Sequence, residues 1–335
     1  MDEDNSSGWQ LTESDPGVFS QLLKTLTVRR QSSQAETIPL QVDDLYSLDP
    51  DSLRELQPIH ALIFLFKWVA PSGNDPASST TGGTYDDAFP GFFAHQVVNN
   101  ACATLAVLNA IGNIPDVTTG SQLSELFSFT RGLDPQTCGM AVTSVDWLRE
   151  AHNALSPPSA ISLDGLDLPK TSEDAYHFIV YLPFMDTVYE LDGLKRAPIN
   201  HGAYTEGGEG WVAKAREVIQ ARISTYPPGS LEFNLLAIRD DPLPGLQARL
   251  TALQSSGVES EAAEIVVRIA NENTKRERWA FENSLRRHNH LGLIHALLDA
   301  LAKSGQLGAA TAGARQKMSE RIARRAEKGV GMDED

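Results

Sequence analysis

The stretch from Gln96 to Asn109, QVVNNACATLAVLN, holds one of the two cysteines in 335 residues, where a polar turn gives way to an apolar run. A free cysteine most often packs as a small hydrophobe. Here the neighbours point elsewhere: Asn99 and Asn100 are helix-capping types, and ACATLAVLNAI after them reads as a buried helix. Cys102 then falls in the first turn, where unpaired N–H groups and the positive end of the helix dipole favour a thiolate, the reactive form. A cysteine hydrolase also needs a base, a group that orients the base, and donors for the oxyanion. His177 opens the strand-like run HFIVYLPF, and Asp192 lies toward the end of TVYELDGL. A hairpin turning between Phe184 and Met185 sets opposite one another residues whose numbers sum to 369, as those of His177 and Asp192 do. Opposed residues share a face with Cβ atoms about 5 Å apart, so Asp192 can fix the tautomer of a His177 base. A turn displaced by one position makes that contact diagonal. Gln96, six residues before Cys102, carries an amide NH2 able to reach the same carbonyl oxygen as the Cys102 N–H.

The remaining groups of reactive type lack such partners. Cys138 lies in DPQTCGM, which reads as a turn, and is expected to be structural. His95 is a surface contact with no carboxylate partner in sequence. His201 and the pair His288 and His290 have no cysteine or acid at ligand spacing and are expected at the surface. No metal and no cofactor are expected.

Composition narrows the setting. Two cysteines outside any CxxC cannot form a disulfide framework, which suits a reducing intracellular compartment. The acidic start MDEDNSSGWQ lacks the apolar core of a secretory signal. HALIFLFKWVA, the longest apolar run, is too short to cross a membrane. A net charge of -16 argues against binding nucleic acid through its phosphates and favours a basic partner or substrate. Residues 272–328 nevertheless carry twelve Lys and Arg against six Asp and Glu, so the negative excess belongs to the first 271 residues. An acidic body with a basic tail reads as two units with different partners, and the length agrees with about two.

The elements that must position the candidate groups follow from pattern. ESDPGVFSQLLKTL opens a helix with Asp15 as N-cap and Pro16 at the first helical position, and Val18, Phe19, Leu22, Leu23 and Leu26 form its apolar stripe. RRQSSQAETIP reads as a polar loop, DPDSLRELQ as a short helix and HALIFLFKWVA as a strand buried on both faces. PSGNDPASSTTGGTYDDAFPG and SPPSAISLDGLDLPKTSEDA are long irregular stretches flanking the cysteine segment, and loops of that length often act as lids. SQLSELFSFTRGL, VTSVDWLREAHNAL and WVAKAREVIQARIS read as helices, and SLEFNLLAIRDD as another buried strand. After Pro244 the pattern is helical, with Leu291, Ile294, Leu297, Leu298 and Leu301 on one apolar stripe ending at Gly305.

Gln96-Val-Val-Asn-Asn-Ala-Cys102 resembles the nucleophile motif of the ubiquitin C-terminal hydrolases, and AYHFIVYLPFMDTVYELDGLKRAPINHG resembles their His and Asp segment. ESDPGVF, LIFLFKW and LEFNLLAI are similar to family segments in the same order. RRHNHLGLIHALLDALAKSGQL is similar to the C-terminal extension of the proteasome-associated branch. The resemblance implies an α/β (α+β), papain-like fold, a central antiparallel sheet flanked by helices with the chain threaded as a knot, plus a helical extension. It implies an acidic disordered start over 1–8, a catalytic domain over 9–240, an extension over 241–328 and a disordered tail over 329–335. It makes Cys102 the nucleophile, His177 the base and later acid, Asp192 its orienter and Gln96 the oxyanion donor.

The substrate so implied is the basic, diglycine-ended tail of ubiquitin or of ubiquitin conjugates. Glu13, Asp15, Glu232 and Phe233 are placed to hold it, and residues from about Leu155 to Ala175 correspond to a crossover loop that limits what passes. The extension implies a proteasomal ubiquitin receptor, or a chromatin-complex subunit with a similar docking domain, bound through the stripe from Leu291 to Leu301. No nucleic acid or membrane is implied, and the location is cytoplasmic and nuclear. The alternatives are a papain-like protease or transferase with another substrate, and a ubiquitin-binding scaffold that is inactive or autoinhibited when free. The family tends to carry an Asn-Gly type turn where this chain has Met185-Asp186, and the insertion near residues 29–39 lengthens a loop.

Overall fold

The computed structural model of the chain describes residues 8–32, 36–67, 82–156, 176–226, 233–288 and 291–330. Its strands are β1 (Arg29–Gln31), β2 (Thr37–Asp44), β3 (Ile59–Lys67), β4 (Thr84–Tyr85), β5 (Val117–Thr118), β6 (Tyr176–Phe184), β7 (Thr187–Leu191), β8 (Ile199–Ala203) and β9 (Phe233–Asp240). They form one sheet in the order β4-β8-β7-β6-β3-β9-β2-β1-β5, with antiparallel neighbours throughout. The helices packed with it are α1 (Pro16–Thr25), α2 (Pro50–Glu55), α3 (Cys102–Ile111), α4 (Ser121–Thr130), α5 (Pro135–Thr143), α6 (Asp146–Asn153), α7 (Trp211–Ile223), α8 (Pro242–Ser256) and α9 (Glu259–Arg287).

Strand alternation decides which layer each residue serves. Phe178, Val180 and Leu182 of β6 join a core with α1, α3, α4, α5 and α6, while Ile179 and Tyr181 turn to the other face and pack with α2 and α7. Leu62 and Phe64 of β3 face α7 while Ala61 and Ile63 face α3, which explains its continuous apolar run. All ten residues of α3 are buried. A helix apolar on every side belongs in the interior, so the cysteine at its start is mounted on a rigid element. Asp15 caps α1 through the Val18 N–H at 3.1 Å, with Pro16 at the first helical position, as expected.

Two local expectations are corrected. RRQSSQAETIP is not a loop throughout: Arg29–Gln31 and the start of β2 pair as a hairpin arm, with residues 33–35 outside the described residues. Arg30 anchors this arm through Nε and Nη2 to Asp240 at 2.9 and 2.5 Å, so its polar composition reflects a short strand, paired between β2 and the two-residue β5 and tied by an ion pair. DPQTCGM is the opening of α5, capped by Asp134 through Gln136 N–H and Thr137 N–H, rather than a turn. Cys138 is buried there, and burial pushes its thiol up to about 11.

The division into compact units falls after Arg287, so α8 and α9 belong with the sheet. Trp279 of α9 is buried with its indole against Gly17, where a Cβ would lie 2.7 Å from the ring. Asn283 Nδ2 donates to Gly17 O at 3.0 Å, and Arg276 bonds Asp241 and Gln41. The second unit holds α10 (Leu291–Lys303) and α11 (Leu307–Val330). Between them Gly305, at φ 72°, ends α10 with Gln306 N–H on Leu301 O and Gly305 N–H on Ala302 O, a Schellman closure. Helix α11 includes residues 329 and 330, which were expected to be disordered. No helix among the described residues is long and apolar enough to cross a membrane.

Candidate active site

Cys102 is the first residue of α3 and is largely buried. The N-cap is Ala101, not an asparagine, and no side chain caps this end. Asn100 instead adopts φ 66° and donates through Nδ2 to Trp9 O at 3.1 Å, which ties the N-terminal segment to the cysteine turn. Among the described residues, no N-cap side chain takes the first-turn N–H groups of α3, that of Cys102 included.

His177 Nε2 lies 2.6 Å from Asp192 Oδ1, both buried. The register that achieves this differs from the one expected. Phe184 opposes Thr187 and Val180 opposes Leu191, so the turn is Met185-Asp186, with φ of 46° and 58°. Positive φ at both central residues is what a two-residue hairpin turn requires. Continued one step, the ladder sets Asp192 opposite Ile179, and the His177 contact is the diagonal one. Asp192 is steadied by Leu194 N–H at 2.9 Å. Burial would push its carboxyl up, but the bond to His177 and that ring's charge hold it below the usual value. Burial likewise works against a charged His177, yet the Asp192 bond and the adjacent Cys102 thiol lift it to about 9. With Nε2 committed to Asp192, Nδ1 is the nitrogen left for the thiol. The arrangement can hold a thiolate beside an imidazolium.

Gln96 N–H donates to Gly193 O at 2.8 Å, one residue beyond Asp192, so the two loops of the site are joined through backbone. A side chain at Gly193 would lie 3.0 Å from that nitrogen. The Gln96 Oε1 is buried without a hydrogen-bond partner among the described residues. His95 is partly buried, with its ring on Arg196 O at 3.2 Å.

Other expectations meet mixed fates. His201 is buried, not at the surface, and bonds Glu190 at 3.1 Å. Glu190 also pairs with Arg222 at 2.5 Å, and Arg222 lies over Phe66, whose ring meets His177 edge-on at 5.8 Å. This buried charge cluster behind the dyad was missed, because its members come from β7, β8 and α7. Glu13 and Asp15 both pair with Arg286 of α9, each at 3.0 Å. Phe233 stacks on Phe64 and meets Tyr226, partly buried beside the α7 core. Glu232, the crossover stretch 157–175, His290 and the Leu291 side chain lie outside the described residues. His288 is exposed. Ile294, Leu297 and Leu298 are exposed on α10, and Leu301 partly so. Among the described residues no group of three or more His, Cys, Asp or Glu could hold a metal ion.

A thiol at a buried helix start, facing an imidazole held by a buried carboxylate on an antiparallel sheet, defines a cysteine hydrolase. Comparison with known proteins narrows the class. The profile described as "Ubiquitin carboxyl-terminal hydrolase, family 1" matches residues 9–224, and a second, for ubiquitin carboxyl-terminal hydrolases, matches 262–307. This chain belongs to the ubiquitin carboxyl-terminal hydrolases and is a deubiquitinating cysteine hydrolase. It is 40% identical over 296 residues to ubiquitin carboxyl-terminal hydrolase 2 of Schizosaccharomyces pombe, covering 88% of this chain and 91% of that one. It is 30% identical over 355 residues to isozyme L5 of Dictyostelium discoideum, covering 94% and 98%. The crystal structure of Trichinella spiralis UCH37 bound to ubiquitin vinyl methyl ester superposes with a TM-score of 0.62 at 32% identity, over 81% of this chain and 99% of that one. Ubiquitin is the protein this chain binds.

Proposed function

We propose that Cys102 is the nucleophile, His177 the base and later the acid, Asp192 the residue that orients it, and Gln96 an oxyanion donor. The Cys102 sulfur attacks the carbonyl of ubiquitin's C-terminal glycine after its proton has passed to His177. The tetrahedral oxyanion is held by the Cys102 N–H and the Gln96 amide. Collapse breaks the C–N bond, His177 returns the proton to the leaving amine, and a thioester remains. Water, deprotonated by His177, then attacks the thioester and releases the ubiquitin carboxylate and the thiol. The observation that carries this reading is the 2.6 Å bond between His177 and Asp192 beside Cys102. Its test is a ubiquitin bearing a C-terminal thiol-reactive group. The full chain is expected to be labelled and Cys102→Ala not, whereas labelling of both would refute the assignment.

The substrate tail is proposed to meet Glu13, Asp15, Glu232 and Phe233. The exposed α10 face at Ile294, Leu297 and Leu298, continued by Leu291 and Leu301, is proposed to dock on a proteasomal ubiquitin receptor or a chromatin-complex subunit of similar fold, in cytoplasm and nucleus. A second reading, restraint of the free enzyme, is favoured by Arg286, which fills the acidic pair a substrate arginine would use. Arg286→Gln is then expected to lower KM for ubiquitin substrates, and a raised KM would contradict it.

A further inference from the structure

Oxyanion donation requires Gln96 at a fixed place beside Cys102, and its buried Oε1 has no hydrogen-bond partner among the described residues. The helix that carries Cys102 supplies the support. Asn109 and Asn113 are both buried on α3 and its C-terminal edge. Asn109 Oδ1 accepts from Ala94 N–H at 2.9 Å and its Nδ2 donates to Ala94 O at 3.3 Å. Asn113 repeats the pattern one helical turn on: Oδ1 accepts from Phe92 N–H at 2.8 Å and Nδ2 donates to Phe92 O at 2.7 Å. Each amide thus takes the place of a strand partner for the chain approaching the site.

The spacing fits, because four helical residues rise about 6 Å and two extended residues span about 6.6 Å. The two runs are antiparallel, so one further step brings Gln96 level with residue 105, in the opening turns of α3 beside Cys102. Two glycines close the segment from outside. A Cβ at Gly139 would lie 2.1 Å from His95 O, and Gly193 O takes the Gln96 N–H. A buried amide that leaves any polar atom unpaired is costly, and both amides spend their oxygen and nitrogen on the backbone they hold.

We propose that Asn109 is the positioning residue for the oxyanion donor, the ladder of Asn109 and Asn113 fixing Gln96 against Cys102. This rests on the reading of Gln96 as that donor. In the full-length enzyme, Asn109→Leu is expected to lower kcat on a ubiquitin–fluorophore amide roughly ten- to a hundredfold, with KM within about twofold. Alkylation of Cys102 by iodoacetamide, which forms no oxyanion, should keep its wild-type rate. In a Gln96→Ala background the same substitution should cost less than about twofold more, since the donor it positions is gone. Asn109→Ser, smaller and still polar, carries the same comparison if Asn109→Leu does not fold. Equal losses in both backgrounds, or slowed alkylation, overturn the proposal and leave a purely structural role. A slow Gln96→Ala with Asn109 variants at wild-type kcat also overturns it while the donor reading stands. A Gln96→Ala enzyme with unchanged kcat removes both.

Discussion

His177 and Asp192 hold one another in opposite charge states against the pull of burial, and that balance has a measurable pH signature. Because the Asp192 bond and the Cys102 thiol lift His177 to about 9, the imidazolium that must protonate the leaving amine is present through neutral pH and is lost as pH rises through that value. The profile of kcat/KM should therefore fall on its alkaline side near pH 9. In Asp192→Asn the carboxylate that raises the ring is gone, so this limb should move to lower pH, with kcat/KM down by roughly 10⁴ as for other triads that lose their orienting acid. A limb that stays in place would show that Asp192 does not set the charge state of His177. Cys102, His177 and Asp192, which the fold brings together, were legible in the sequence as residue types. The diagonal register was not, because Met185 and Asp186 lack the glycine or asparagine that announces a two-residue turn.

At the scale of elements, that turn is strained. Two non-glycine residues hold positive φ, so Met185→Asn with Asp186→Gly should stabilise the hairpin by about 1 kcal/mol. Thermal unfolding of the pair against wild type measures it, and an unchanged or lowered midpoint would speak against strain there. The N-terminal segment has its own pH dependence. His152 is buried, with Nε2 on Gln10 O at 2.7 Å and Nδ1 on Thr104 Oγ1 at 2.7 Å. A carbonyl accepts only, so Nε2 carries a hydrogen, and in the neutral ring Nδ1 accepts from the threonine hydroxyl. Burial lowers its pKa from the ordinary 6.5. The stability it contributes is thus complete above about pH 6.5 and lost as pH falls below it. His152→Gln should flatten that acid slope in thermal melts; a slope unaltered by the substitution would assign it to other groups. Helix α1 could be read from its period and cap, and α3 and the buried strands from their apolar runs. The β1–β2 arm could not, since so short a polar pairing is locally indistinguishable from loop, and the start of α5 could not because, although it opens on Asp-Pro as α1 does, no apolar stripe follows over Gln136–Gly139.

For the whole molecule, the chain reads in sequence as a catalytic domain followed by an extension, and the contacts add α8 and α9 to the first unit. The reason lies in a few residues distant in sequence: Trp279 against Gly17, Asn283 on Gly17 O, and Arg286 on Glu13 and Asp15. Trp279→Ala should cost about 3–5 kcal/mol in denaturant unfolding, and a loss below about 1 kcal/mol would mean α9 is not held by that side chain. On the second unit, Leu297→Asp with Leu298→Asp is expected to leave hydrolysis of a ubiquitin fluorophore unchanged while abolishing capture by a proteasomal ubiquitin receptor. Retained capture would move the docking face elsewhere. The buried Glu190, Arg222 and His201 cluster and the Asn109 ladder had no sequence signature of their own, because each joins elements that only the sheet order brings together.

The thioester intermediate can be trapped. Mixing the enzyme with ubiquitin bearing a C-terminal ester, quenching in acid within the first turnover and mapping the product by mass spectrometry should find ubiquitin, less its alcohol, on the peptide that contains Cys102. The adduct should be released by hydroxylamine and absent from Cys102→Ala. An adduct on another residue, or turnover in Cys102→Ala at the wild-type rate, would contradict the account.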